Sequence, residues 1–178
     1  ALSLHGLHGE ILIADCTITD NVALTNAGGA YNVNEGDTRF RNCILWGNTA
    51  PQIYQDGLSL EVAYSDVQGG WEGLGNIDAD PLFAEPENAD YRLSSASPCI
   101  DAADNTAVPA DVLDLDGDGD TGEPIPFDLD GNPRFVDDPN TEDTGNGEPP
   151  IVDMGAYEYQ PPEPPECPAD FDGDGDVD

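Results

Sequence analysis

The sequence predicts an all-β solenoid: a short parallel β-helix, then an irregular acidic cap region and an extended tail. Three observations lead there. Three segments, "ADCTITDN" (14–21), "RNCILWGN" (41–48) and "AYSDVQGG" (63–70), repeat one pattern at spacings of 27 and 22 residues. Within each, apolar and β-branched residues alternate as in a strand, and Asn, Asp or Gly closes the run. No stretch combines a helical period with caps, and one short strand-like run per repeat of this length is the mark of stacked coils.

Each repeat opens on a small residue: Cys16, Cys43 and Ser65. Two residues on stands an apolar one: Ile18, Leu45 and Val67. In parallel stacking each of these lies about 4.8 Å above its predecessor, so like side chains form columns. Period-two alternation then selects a core of Ile13, Ile18, Leu45, Val67, Leu82, Leu93 and Ile100. Asn21 and Asn48 are expected to stack at a turn in left-handed backbone, their amides bonding along the column. An antiparallel β-sandwich with chance internal similarity is the competing arrangement.

The later segments carry a longer pattern. "NIDADPLFAEPENADYRLSSASPCIDAAD" (76–104), "DLDGNPRFVD" (128–137) and "VDMGAYEY" (152–159) stand in that order. Together they resemble the closing region of secreted bacterial right-handed parallel β-helix proteins, the choice-of-anchor Q or polymorphic-outer-membrane-type repeat family. The resemblance covers residues 76–159. It implies a right-handed coil, a closing role in packing for these strings, and secretion or display at the cell surface. The final "CPADFDGDGDVD" is similar to the start of a dockerin-type calcium repeat, which implies a cohesin-like partner. The parts expected are coils over 1–104, an acidic loop and cap over 105–159, a linker over 160–169 and a calcium loop over 170–178.

Charge divides the chain in the same way. Thirty-eight acids face four bases, all arginine, for a formal net charge of −34. Residues 1–100 hold 14 of the acids and residues 101–178 the other 24. Such a surface repels nucleic acid and anionic lipid, and its self-repulsion calls for neutralising cations. No apolar run reaches the roughly 18 residues of a membrane span, and no stretch has the form of a signal peptide.

Two runs have the spacing of calcium loops. Calcium takes six to eight oxygens, roughly, which alternating aspartates supply around a sharp turn with Gly at the sixth place. The internal run offers Asp114, Asp116, Asp118, Gly119 and Asp120. Its twelfth place is Ile125, so Glu123 or Asp128 is expected to supply the missing oxygens in a non-standard geometry. The tail offers Asp170, Asp172, Asp174, Gly175, Asp176 and Asp178, and its twelfth place lies beyond the last residue. A solvated acidic loop, or the surface charge of a salt-loving protein, is the plain alternative. Salt adaptation does not explain Gly at the sixth place twice. Asp128 with Asp130, and Asp137 with Asp138, are either further sites or turn chemistry.

Of the four cysteines, Cys16 and Cys43 are expected as stacked thiols. A bond between Cys99 and Cys167, within or between chains, would suit an extracellular setting, and the four cysteines allow three full pairings. No CxxC occurs, so zinc is not expected, and His5 and His8 are expected as surface or coil residues.

The fold type hosts pectate lyases and galacturonases, but fold alone does not decide activity. There is no lysine to act as a lyase base. Of the galacturonase motifs only the pair Asp137–Asp138 is present, off the coils. The expectation is a non-enzymatic structural protein. Its tail aspartates would share calcium with the next copy, giving a head-to-tail homopolymer. The linker from Gln160 to Ala169 reaches roughly 30 Å if extended, enough to run along a neighbouring stack. The alternative is a module binding polysaccharide or a cohesin-like partner. Trp46, Trp71, Tyr54 and Tyr64 are the aromatics available for it.

Overall fold

The structure is a computed structural model that describes residues 2–5, 9–24, 27–33, 35–57 and 59–162. The described residues form an all-β protein with three parallel sheets and no α-helix. The chain visits the three sheets in turn, three times. The first pass comprises β1 (Leu2–His5), β2 (Ile11–Ala14) and β3 (Thr17–Thr19). The second comprises β4 (Ala30–Val33), β5 (Asp37–Arg41) and β6 (Ile44–Trp46). The third comprises β7 (Ile53–Gln55), β8 (Ser59–Ala63) and β9 (Asp66–Val67). The sheets are β1-β4-β7, β2-β5-β8 and β3-β6-β9, with every pairing parallel.

The register matches the sequence repeat. Ile18 pairs with Leu45 and Leu45 with Val67. Cys16, Cys43 and Ser65 therefore hold equivalent places just before β3, β6 and β9. The Cys43 N–H donates to Ser65 Oγ at 3.0 Å. The residues between the second and third strands of each pass, Asp15, Asn42 and Tyr64, all have φ near +50°. This repeated left-handed residue turns the chain from one sheet to the next, and Asn42 Nδ2 bonds along the column to Asp15 Oδ1 at 2.9 Å.

At the following turn the left-handed residues are Asp20, Gly47 and Gly69. They precede Asn21, Asn48 and Gly70, which corrects the expectation that the asparagines themselves adopt this backbone. The asparagines instead supply side-chain bonds, and a second left-handed residue is needed only in the third pass, at Gly70.

Two apolar clusters result. One fills the stack with Ala30, Phe40, Cys43, Leu45, Ile53, Val62 and Val67, flanked by the half-buried Ile13 and Ile18. The other lies outside the third sheet and joins Ile44 to Leu93, Cys99, Ile100, Val108, Val152 and Met154. Neighbouring strand residues point to opposite faces, so Ile44 faces one cluster and Leu45 the other, and both are fully buried. Residues 94–162 thus cover a second apolar face of β6 with irregular chain.

The expected core member Leu82 is an exception: it is 38% exposed. Its φ of +50° turns its side chain outward, and its neighbour Phe83 packs on the second cluster instead. Phe83 opens an antiparallel hairpin of β10 (Phe83–Glu85) and β11 (Asp90–Leu93).

The segment around Gly155 runs across the passes rather than sitting at one end of them. Met154 N donates to Cys99 O, Gly155 N to Asn42 O in the second pass, and Ala156 N to Thr17 Oγ1 in the first. It holds its course by buried carboxylates. Asp153 accepts from the amides of Asp101 (2.8 Å) and Tyr159 (2.6 Å), and Glu158 from those of Asp153 and Val136. Burial pushes both carboxyls well above their usual range. The buried Arg134, which donates to the carbonyls of Phe127 and Ala156, is the nearby countercharge.

Cys16, Cys43 and Cys99 are free thiols. Cys16 and Cys43 donate to backbone carbonyls two residues back, Ala14 and Arg41. Cys99 is enclosed in the second cluster with Sγ 3.5 Å from Asp66 Oδ2. Cys167 lies outside the described residues, as does His8. Among the described residues no helix is long and apolar enough to cross a membrane.

Candidate metal centre

The loop after Val108 is closed by an antiparallel bridge between Ala110 and Pro124. Ile125 N donates to Pro109 O, and Asp111 N to Glu123 O at 2.7 Å. Ile125, at the twelfth place of the sequence pattern, packs its side chain on the second cluster. It anchors the loop to the core rather than facing the carboxylates. Gly119 has φ +90° with open space where a Cβ would stand, so backbone freedom alone requires glycine here. Its N–H donates to Asp114 Oδ1 at 3.1 Å, which folds the DxDxDG run back on its first aspartate.

Two groups of carboxylates converge. Asp114, Asp116 and Asp118 bring one oxygen each to within 4.8 Å of one another, and so do Asp111, Asp116 and Glu123. A calcium–oxygen bond is about 2.4 Å, so oxygens on one ion are at most about 4.8 Å apart, and either group is compact enough for one cation. Asp116 belongs to both. Asp120 belongs to neither, though its charge adds to the field at Glu123. Burial first, then Asp118, Asp116, Asp120 and Asp111, raises the Glu123 carboxyl above its ordinary value.

Asp111 was not legible as a ligand in the sequence, since it stands three residues before the alternating run. The Ala110–Pro124 bridge brings it opposite Glu123. It is only 1% exposed, and Oδ2 accepts from Leu115 N at 2.6 Å. Its Oδ1, like Glu123 Oε1, is buried without a hydrogen-bond partner. An unpaired buried carboxylate oxygen costs on the order of a few kcal/mol, and a bound cation removes that cost.

Asp128 belongs to none of the acidic groups. Its Oδ1 accepts from the amides of Asp130 and Asn132, and its Oδ2 from Glu158 N at 3.1 Å. It shapes a turn and ties it to the closing segment. Asp138 does similar work, accepting from Asn140 N and Thr141 Oγ1. The tail aspartates Asp170, Asp172, Asp174, Asp176 and Asp178 lie outside the described residues.

The residue types present are oxygen donors only, with no His or Cys in either group, which suits a hard cation such as calcium rather than zinc or copper. The aromatics lie elsewhere. Trp46 and Trp71 each pack against an apolar cluster, and His5, Tyr31 and Tyr54 form a column on the first sheet. No family model, curated protein or solved structure matches this chain.

Proposed function

We propose that this chain is a non-enzymatic, calcium-binding structural protein of the secreted right-handed parallel β-helix type, which self-associates through calcium. The observation that carries the calcium reading is the position of Asp116 within two converging carboxylate groups whose buried members, Asp111 Oδ1 and Glu123 Oε1, have no other partner. The in-register columns of the three passes support the β-helix reading. Assembly draws on electrostatics: two copies each carrying −34 repel unless a multivalent cation lies between them. The tail aspartates are the proposed bridge to a neighbouring copy.

Calorimetric titration of the full chain with calcium, and thermal melts with and without a chelator, test the binding. Heat of binding and a raised melting temperature are expected; the absence of both would overturn it. Sedimentation velocity of the chain with and without residues 167–178 tests assembly. Multimers that persist unchanged without the tail, or never form in calcium, would remove that part. Turnover of pectate, alginate or a neutral glycan, abolished by a single Asp or Arg substitution, would overturn the non-enzymatic reading.

A polysaccharide-binding module is the competing proposal. Sugars stack on exposed aromatic faces, but Tyr31 and Tyr54 stack on each other at 5.1 Å and 19°. With His5 also against Tyr31, the column leaves the outer face of Tyr54 as its free ring face rather than a row of sugar-facing rings, which favours the structural reading.

A further inference from the structure

We propose a second hard-cation site, separate from the loop over 111–123, formed by Asp101, Asp137 and Asp143. One carboxylate oxygen from each lies within 4.8 Å of the others, again the span that one calcium-sized ion can bridge. The three come from distant parts of the chain. Asp101 follows the buried Cys99–Ile100 pair, whereas Asp137 and Asp143 flank the turn built by Asp138.

The site has a fixed floor and two exposed walls. Asp101 is fully buried and held on every backbone group. Its N–H donates to Asp153 Oδ1 at 2.8 Å, and its carbonyl accepts from Thr144 N at 2.9 Å and Gly145 N at 3.1 Å. Its φ of +51° is a left-handed conformation that an aspartate tolerates when its surroundings hold it there. Of its carboxylate oxygens, Oδ2 accepts from Asp138 N at 3.3 Å. Oδ1 is buried with no hydrogen-bond partner at all. A carboxylate oxygen removed from water and left unpaired is costly unless a proton or a cation reaches it.

The exposed members, Asp137 and Asp143, stand on an anchored loop. Asp138 accepts from Asn140 N, Asn140 Nδ2 and Thr141 Oγ1, which sets the turn between Asp137 and Asp143. Burial, together with the charges of Asp143, Asp137 and Asp138, raises the Asp101 carboxyl to about 6, as expected for acids crowded without a countercharge. A divalent ion would discharge this crowding and staple the loop over 137–145 to the segment that packs on the third sheet. With three carboxylates and no nitrogen or sulfur donor, the remaining coordination falls to water, and the ion is of the calcium class.

The test is a count of bound calcium by equilibrium dialysis of the full chain, comparing wild type with the double variant Asp137→Asn, Asp143→Asn. Both residues are exposed, so the fold is expected to survive, checked by the melt in chelator. The expected result is a loss of one equivalent of calcium, additive with the loss caused by Asp116→Asn. Equal stoichiometry in wild type and double variant would overturn the proposal, whatever happens at the 111–123 loop. A second readout needs no change at this site. Manganese added to the full-length Asp116→Asn protein is expected to broaden the amide resonances of Thr144 and Gly145. If those amides stay sharp while manganese binds elsewhere, the site does not exist.

Discussion

Asn48 Oδ1 accepts from both the backbone N–H and the side-chain Nδ2 of Asn21, at 3.0 and 2.9 Å, one pass below it in the stack. The same side chain donates to Ile18 O and to Gln52 Oε1, each at 2.7 Å. All four hydrogen-bonding positions of its amide are thus in use. Gln52 continues the chain of bonds to Gln68 Oε1 at 3.0 Å in the third pass. This polar seam crosses the turns of three passes and fixes how they lie on one another.

Asn48→Ala is therefore expected to destabilise the fold by about 2–4 kcal/mol, because several buried partners lose their bonds together. Asn48→Asp should be worse, since it replaces two donors by a buried charge facing Ile18 O and Gln52 Oε1. Urea denaturation in excess calcium measures both. An Asn48→Ala midpoint equal to wild type would mean that the seam contributes nothing.

Among the loop acids, Asp116→Asn is expected to weaken calcium binding most, since Asp116 joins both carboxylate groups. Asp120→Asn should weaken it less, through the field alone. Asp128→Asn should leave calcium binding intact yet lower stability, because Glu158 N loses its carboxylate partner. Calcium at about a hundred times its dissociation constant adds roughly 2.7 kcal/mol of stability per site. The difference in melting temperature with and without chelator is expected to be smallest in Asp116→Asn, intermediate in Asp120→Asn and equal to wild type in Asp128→Asn.

Asp66 gives a pH signature independent of metal. Burial raises its carboxyl to about 7; the Ala79 N–H and Cys99 oppose the shift, and Asp78 and Asp80 add to it. The folded protein thus binds this proton more tightly than the unfolded chain does. The stability it contributes is fully present below the ordinary value near 3.8 and is lost as pH rises through about 7. Asp66→Asn mimics the protonated form. Relative to wild type it is expected to gain stability at about pH 8 and little at about pH 4, read by urea denaturation at both. A difference that does not change with pH would show that Asp66 titrates normally.

Gly155→Ala probes the closing segment. Gly155 has φ +98°, and a Cβ there would stand 2.8 Å from Thr17 Oγ1 and 2.9 Å from Ile44 Cδ1. Backbone strain of about 1–3 kcal/mol adds to overpacking of similar size. The expected result is a marked fall in melting temperature. A variant as stable as wild type would mean that the segment around Gly155 packs loosely on the stack.

The sequence by itself determined the stacking. Cys16, Cys43 and Ser65 recur at the intervals that separate the passes, because in-register parallel pairing copies each pass onto the next and so writes its period into the chain. It also determined the alternating aspartates of the loop, since their geometry is local. Tertiary structure alone decided that Ile44 is buried on the face opposite Leu45, because a strand's second face is apolar or polar only in relation to what covers it. It alone placed Leu82 outside the core, through a left-handed backbone that a leucine does not advertise. It alone brought Asp111 to Glu123 and Asp101 to Asp137 and Asp143. Those meetings depend on a bridge at Ala110 and a turn at Asp138, and contacts between residues far apart in the chain leave no period to read.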